Sequence, residues 1–112
     1  MSTDANEVAL RDTLAAAEQG DAAAQNSLGQ RYAVGWGVPL DYEQAVAWFR
    51  KAADQGDMGG QYNLGVSYAD GLGNPQDDAQ AIDWFRKAAD QGSTGAEHNL
   101  RVVLARNAAG EK

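Results

Sequence analysis

A segment of nine residues occurs twice in this chain without a single change. It reads WFRKAADQG at residues 48–56 and again at residues 84–92, an offset of 36 residues. A shorter and partly altered copy lies at residues 16–20, the same distance upstream. Aligned at this offset, residues 17–52 and 53–88 are identical at 20 of 36 positions. Recurrence at a fixed period of this length is typical of stacked units, so we predict a repeat protein.

The first half of each unit has the pattern of a helix with one buried side. In unit one, Ala24, Leu28 and Tyr32 follow one another at a spacing of four residues, which places them on one helical face. Asp21 is suited to cap the start of this helix. Gly35 is suited to end it, because glycine readily adopts the left-handed conformation found at helix ends.

The second half of each unit predicts another helix. Asp41 is the expected N-cap, and Gln44 stands where it would complete a capping box. Gly56 ends this helix and Asp57 starts the next at once, so successive helices are predicted to pack antiparallel. The residues expected in the core are Ala45 and Ala52 with the aromatic pairs Trp48 and Phe49 and, in unit two, Trp84 and Phe85.

The two ends of the chain look like fragments of the same unit. Asp4 and Glu7 resemble a capping box for a first helix, and Ser93 is suited to cap the last one. That last helix carries Ala96, Leu100 and Leu104 in the core register. We therefore predict one all-α domain, 1–112, of about six helices. It divides into an N-terminal partial repeat, 5–20, repeat one, 21–56, repeat two, 57–92, and a C-terminal capping helix, 93–108.

Small residues beside the core leucines predict close helix packing. Gly29 and Gly65 each follow such a leucine, although glycine inside a helix costs up to about 1 kcal/mol. A close approach of the partner helix would offset that cost. Arg101 takes this place in the third copy. Because a terminal helix needs a polar outer face, we expect Arg101 to face water.

The repeated residues resemble those of the Sel-one-like (Sel1) repeat family, which is related to the tetratricopeptide repeats. The matching residues in unit one are Ala24, Leu28, Gly29, Tyr32, Gly35, Gly37, Val38, Asp41, Ala45, Trp48, Phe49, Lys51, Ala52, Ala53, Gln55 and Gly56. The resemblance covers residues 9–105 and implies a right-handed α-solenoid of antiparallel helix pairs. It also implies an adaptor or scaffold in protein complexes, and it provides no catalytic residue to transfer.

Unit two departs from the family pattern at two positions. Asn74 replaces the valine that follows the second loop glycine, and Gly60 replaces the alanine at the position of Ala24. We expect these changes to loosen unit two without altering the fold. Some cysteine-rich relatives are linked to β-lactam binding. This chain contains no cysteine, so it lacks their disulfides and gives little support to that activity.

Charge and composition exclude several classes of partner. The 16 acidic and 9 basic residues give a net charge of −7, which disfavours binding to nucleic acids and to anionic membranes. The same charge favours a soluble monomer. No apolar run reaches membrane-spanning length. The polar, acidic start of the sequence does not resemble a signal peptide, so we expect a cytoplasmic protein, although a leader removed earlier would leave no trace.

The residues that could carry chemistry do not form a recognisable site. The glycine loops at 35–37 and 71–73 follow helices rather than strands, which favours turns over phosphate binding. Ser67 lies inside a predicted helix, and His98 is a lone histidine without a visible cluster. The oxygen-bearing side chains between residues 70 and 78 lack the ligand alternation of a calcium loop. We therefore predict no catalytic residue, no cofactor and no metal.

Two groups of residues are candidates for binding another protein. The first group is apolar and lies in the loops, and the second lines the concave face that the tetratricopeptide resemblance implies for the first helix of each unit. The candidates are Trp36 and Leu72; Asn26, Gln30 and Val34; Tyr62, Val66 and Asp70; and His98, Val102 and Arg106. We predict a non-catalytic module that binds a partner protein or peptide on this face. A solvated surface without a partner, a small-ligand-binding or hydrolase-like protein acting on cell-wall-derived compounds, and a self-assembling solenoid remain open alternatives.

Overall fold

The computed structural model describes residues 5–110, which contain six α-helices and no strand. The helices are α1 Ala5–Glu18, α2 Ala22–Val34, α3 Tyr42–Asp54, α4 Met58–Asp70, α5 Asp78–Asp90 and α6 Thr94–Gly110. The predicted all-α class and the number of helices are confirmed. Asp4, the predicted cap of the first helix, lies outside the described residues.

The expected N-caps of α2 to α6 make their hydrogen bonds. Asp21 accepts a bond of 2.9 Å from the backbone N–H of Ala24, and Ser93 accepts one of 3.1 Å from that of Ala96. The aspartates before α3, α4 and α5 make equivalent bonds. Gly35 ends α2 with φ +72°, in the left-handed region that favours glycine. The helix boundaries therefore follow from side chains that the sequence repeats.

Only one of the two hydrogen bonds of each predicted capping box forms. Asp41 accepts a hydrogen bond from the N–H of Gln44, but its own N–H donates to the carbonyl oxygen of Tyr32 at 2.9 Å. Unit two repeats this arrangement at Asp77. Because the donor is already engaged, the glutamine side chain does not close the box and stays exposed. The bond instead ties the start of the second helix to the last turn of the first.

The helices form two layers along an elongated stack. Each helix packs against the next in the chain, and α2 also contacts α4, which contacts α6. Within residues 5–110, the helices α1, α3 and α5 make no such contact with one another. The even helices therefore lie on the inner side of the curve and the odd helices on the outer side. The stack measures 62 × 26 × 19 Å, as expected of a short α-solenoid.

Buried phenylalanines explain the glycines beside the core leucines. A Cβ atom added at Gly29 would lie 2.6 Å from the ring of Phe49, and one added at Gly65 would lie 2.7 Å from that of Phe85. Real carbon atoms pack at about 3.5–4.0 Å. The predicted close approach of the helix pairs is therefore confirmed, and its partner is the phenylalanine of the following helix.

The tryptophans beside these phenylalanines are less buried than predicted. Trp48 and Trp84 are half-buried rather than part of the core. The Nζ atom of Lys51 lies 4.6 Å from the ring centroid of Trp48, and that of Lys87 lies 4.4 Å from Trp84. Each ring is therefore partly covered by the lysine three residues later in the same helix, whose ammonium group can remain solvated.

Helix α6 confirms one expectation and corrects another. Arg101 is exposed and pairs with Glu97 at 3.2 Å, as expected for the last helix of a stack. Leu104, expected in the core, is 40% exposed, while Val103 is 3% exposed and occupies the core. In the earlier units, the side of the helix that corresponds to Leu104 packs against the following helix. In the described residues no helix follows α6, so this side remains open.

The two unusual residues of unit two have different consequences. A Cβ atom at Gly60 would lie 2.7 Å from the Cβ of Ala52, so this glycine brings α4 closer to α3 instead of loosening the unit. Asn74 fits the expected loosening better. Its side-chain nitrogen and oxygen are buried and have no hydrogen-bond partner among the described residues. Such unpaired groups cost stability.

Candidate functional site

A groove of about 580 Å³ opens between α2 and α4 on the inner side of the stack. Helices α2 and α4 supply most of its lining, while α3, the two glycine loops and Thr13 of α1 supply the rest. We call it the inner groove and define it by Gln30, Arg31, Val34, Trp36, Tyr42, Val66 and Leu72, with Phe49 in its lining. Phe49 lies close to Gly29 of α2, which has no Cβ atom to keep its ring away.

The inner groove brings together five of the eleven predicted partner-binding residues. These are Gln30 and Val34 on α2, Val66 on α4, and the loop residues Trp36 and Leu72. Trp36 is 52% exposed, and Val34 and Tyr42 are also exposed. Large apolar side chains therefore line the groove while remaining accessible to a ligand. They stand beside amide and hydroxyl groups, a mixture typical of protein-binding surfaces.

Three more candidates line a smaller hollow between α4 and α6. This hollow measures about 170 Å³ and contains Asp70, Val102 and Arg106 together with Val66, which it shares with the inner groove. The Nη2 atom of Arg106 donates to Asp78 at 2.7 Å and to the carbonyl oxygen of Ala69 at 3.0 Å. The Asp78 carboxylate raises the pKa of Arg106 above its ordinary value.

Two further candidates are engaged in bonds between neighbouring inner helices. The Nδ2 atom of Asn63 donates to the Oδ1 atom of Asn26 at 2.8 Å, and that of Asn99 donates to the hydroxyl of Tyr62 at 3.2 Å. These bonds link α2 to α4 and α4 to α6. The last candidate, His98, is exposed and borders neither the inner groove nor the smaller hollow.

The prediction missed the charged residue of the inner groove. Arg31 is only 5% exposed, and its guanidinium carbon lies 4.0 Å from the ring centroid of Trp36. Its Nη1 atom donates to the carbonyl oxygen of Trp36 at 3.4 Å. The equivalent positions carry Ser67 and Val103, which are also buried. Comparison of the three copies could have identified Arg31, because it is the only charged residue among the three equivalent positions.

No other kind of site is evident in residues 5–110. This part of the chain has no group of three or more His, Cys, Asp or Glu side chains that could hold a metal ion. None of its helices is both long and apolar enough to cross a membrane.

Comparisons with known proteins agree with the repeat architecture. The Sel1 repeat family model matches residues 22–57 and 59–93. A Sel1 repeat protein from Oxalobacter formigenes is 42% identical over 81% of this chain, with a TM-score of 0.79. The protective antigen c5321 of uropathogenic Escherichia coli, which displays an SLR fold, is 49% identical over 75% of the chain, with a TM-score of 0.74. Helicobacter pylori cysteine rich protein B is 28% identical over 81% of the chain, with a TM-score of 0.76.

The similar region is a small part of the first two of these proteins. It spans 26% of the Oxalobacter protein and 18% of the Escherichia coli antigen, against 68% of the Helicobacter protein. No curated protein matches the chain at a significant level. The family model nevertheless covers more than half of the chain. The chain therefore belongs to the Sel1 repeat family.

Proposed function

We propose that this chain is a non-catalytic interaction module that binds a partner protein or peptide in the inner groove. Sel1 repeats are generally protein–protein interaction modules, which supports the general class. The observation that carries the proposal is the exposed apolar surface of the groove around Trp36. Neither the packing of the helices nor their capping requires a tryptophan that is half exposed to water.

Trp36 is suited to act as the anchor of the interaction. Interface hot spots are enriched in tryptophan, tyrosine and arginine, and such residues cluster where water is excluded on binding. Trp36 lies against Arg31, and Tyr42 lines the same groove. A partner side chain inserted beside Trp36 would cover all three residues. Val66 and Leu72 would extend the contact toward α4, where the smaller hollow with Asp70, Val102 and Arg106 begins.

The acidic character of the chain supports a module that acts as a monomer. A net charge of −7 opposes close packing of two copies and favours solubility. Light scattering over a range of concentrations tests this part of the proposal. A constant monomer mass is expected, and a mass that rises with concentration would favour the self-assembling alternative.

Capture experiments with two matched variants test the proposed groove. The immobilised chain is incubated with an extract of its source cells, and retained proteins are quantified by mass spectrometry. Trp36→Ala should weaken retention of the specific partner about tenfold or more, because it removes the anchor. Leu104→Ala is the control, since Leu104 is an exposed leucine on α6 outside the inner groove and the smaller hollow.

Circular dichroism of each variant establishes that the helices are intact. Loss of the partner with Trp36→Ala and its retention with Leu104→Ala would support the inner groove as the binding site. Equal retention by the wild type and both variants would refute it.

A further inference from the structure

We propose that the inner groove recognises a carboxylate group of its partner peptide through the guanidinium of Arg31. This inference rests on the proposed function, because it names the chemistry of the ligand for the same groove. It arises from a feature that peptide binding alone does not explain, namely a buried cation in the lining of the groove.

Arg31 is buried without an acidic partner. Arg31 is only 5% exposed, lines the inner groove and forms no ion pair within residues 5–110. Buried charges in proteins are normally paired, because removal of an ion from water costs several kcal/mol. The stacked ring of Trp36 compensates part of this cost. A carboxylate supplied by a ligand would provide the missing counter-charge.

The guanidinium retains the donors that such a ligand needs. Of its three nitrogen atoms, only Nη1 has a hydrogen-bond partner in the described part of the chain, the carbonyl oxygen of Trp36. The contact with the indole ring restrains the plane of the guanidinium. Arginine binds carboxylates through pairs of parallel N–H donors, and a restrained plane reduces the entropy lost on binding.

The charges around the groove favour a single carboxylate. Arg31 is the only charged side chain among the residues that line the inner groove, although the whole chain carries a net charge of −7. One guanidinium balances one carboxylate. A phosphate group, with a charge of about −1.5 to −2, would leave negative charge uncompensated between the apolar side chains of Val34 and Leu72.

The fold itself does not require a cation at this position. Ser67 and Val103 occupy the equivalent places in α4 and α6, and both are buried in the same solenoid. Arg31 does hold the loop through Trp36, which is a structural role. A test must therefore separate loss of carboxylate recognition from a general disturbance of the loop.

Isothermal titration calorimetry with three synthetic pentapeptides makes this separation. All three are N-acetylated and carry leucines on both sides of the central residue, to match the apolar walls. The first has a central glutamate and an amidated C-terminus, the second has glutamine instead, and the third has glutamine with a free C-terminal carboxylate. The first and third peptides distinguish a side-chain carboxylate from a chain terminus as the recognised group.

For the wild type, we expect at least one carboxylate peptide to bind about tenfold or more tightly than the neutral peptide. Arg31→Val, which introduces the residue found at the equivalent position of α6, should abolish this preference. Arg31→Lys should keep part of it, because it preserves the charge but loses the paired donors. The comparison requires that at least one of the two Arg31 variants keeps the helical circular dichroism spectrum of the wild type.

The outcomes also separate this inference from the proposed function. Equal binding of all three peptides to the wild type would overturn recognition of a carboxylate, while loss of that binding in Trp36→Ala would still support the groove. A preference that persists in Arg31→Val would overturn the role of Arg31. Failure of every peptide to bind the wild type would also overturn the inference, and the capture experiment would then decide the proposed function independently.

Discussion

Replacement of Gly65 by alanine should destabilise the stack, although alanine is the better helix former. Gly65 lies in the middle of α4, where alanine is favoured over glycine by up to about 1 kcal/mol. A Cβ atom there would lie 2.7 Å from two ring carbons of Phe85 and 3.1 Å from a third. Phe85 is 1% exposed and packs against Ala81 and Ala88, so its ring has little room to move.

The size of the effect follows from these two opposing contributions. An extra carbon atom in a well-packed core costs about 1–3 kcal/mol. Overlap with three atoms of a confined ring places Gly65→Ala in the upper part of this range. After the gain in helix propensity is subtracted, we expect a net loss of about 1–2 kcal/mol. For a domain of this length, this corresponds to a fall in Tm of roughly 4–16 °C.

Urea and thermal unfolding monitored by circular dichroism measure this loss. Gly95→Ala is the control, because its Cβ atom would meet the half-buried ring of Tyr62 at 3.2 Å and needs only a small adjustment. We expect the control to stay within about 0.5 kcal/mol of the wild type or to exceed it. Phe85→Leu combined with Gly65→Ala should cost less than the sum of the two single changes. Wild-type stability of Gly65→Ala would refute the close approach as the reason for the glycine.

Two other substitutions test single interactions in unit two by the same unfolding measurements. Asn74→Val removes two buried polar atoms without partners and introduces the residue found at Val38 in unit one, so it should stabilise the chain by about 1 kcal/mol. A loss of stability would show that this amide is satisfied in solution. Asp57→Ala removes the N-cap of α4 and should cost about 1 kcal/mol, whereas Asp83→Ala, at an exposed helical position, should change little.

Most of the fold could be predicted because both copies carry the same helix-capping and helix-packing residues. Asp21, Gly35 and Gly65 act locally or against a neighbour in the same unit, so their roles follow from spacing. Leu104 was assigned wrongly because its burial depends on a following helix that the described stack lacks. The half-formed box at Asp41 depends on a bond to Tyr32 in the preceding helix, which helix-capping rules do not consider.

The candidate site was less predictable, because it depends on which helix faces come together in the folded stack. The sequence predicted an inner surface and an exposed loop residue, Trp36, but it could not separate residues that line a groove from those that bond adjacent helices. Asn26 and Tyr62 stood in the same predicted row as partner-binding residues, yet their polar atoms bind Asn63 and Asn99. Arg31 was overlooked because its burial is a tertiary effect of packing beneath Trp36.

A chemical-shift map of the wild-type chain with the glutamate pentapeptide tests the central claim most directly. The ¹⁵N-labelled protein is titrated with the peptide, and the backbone amides and the indole N–H groups are followed. We predict that the largest shifts occur at Arg31, at the indole of Trp36 and at Val66, with the indoles of Trp48 and Trp84 unchanged. Shifts confined to residues that do not line the inner groove, such as those of α5, would contradict binding there.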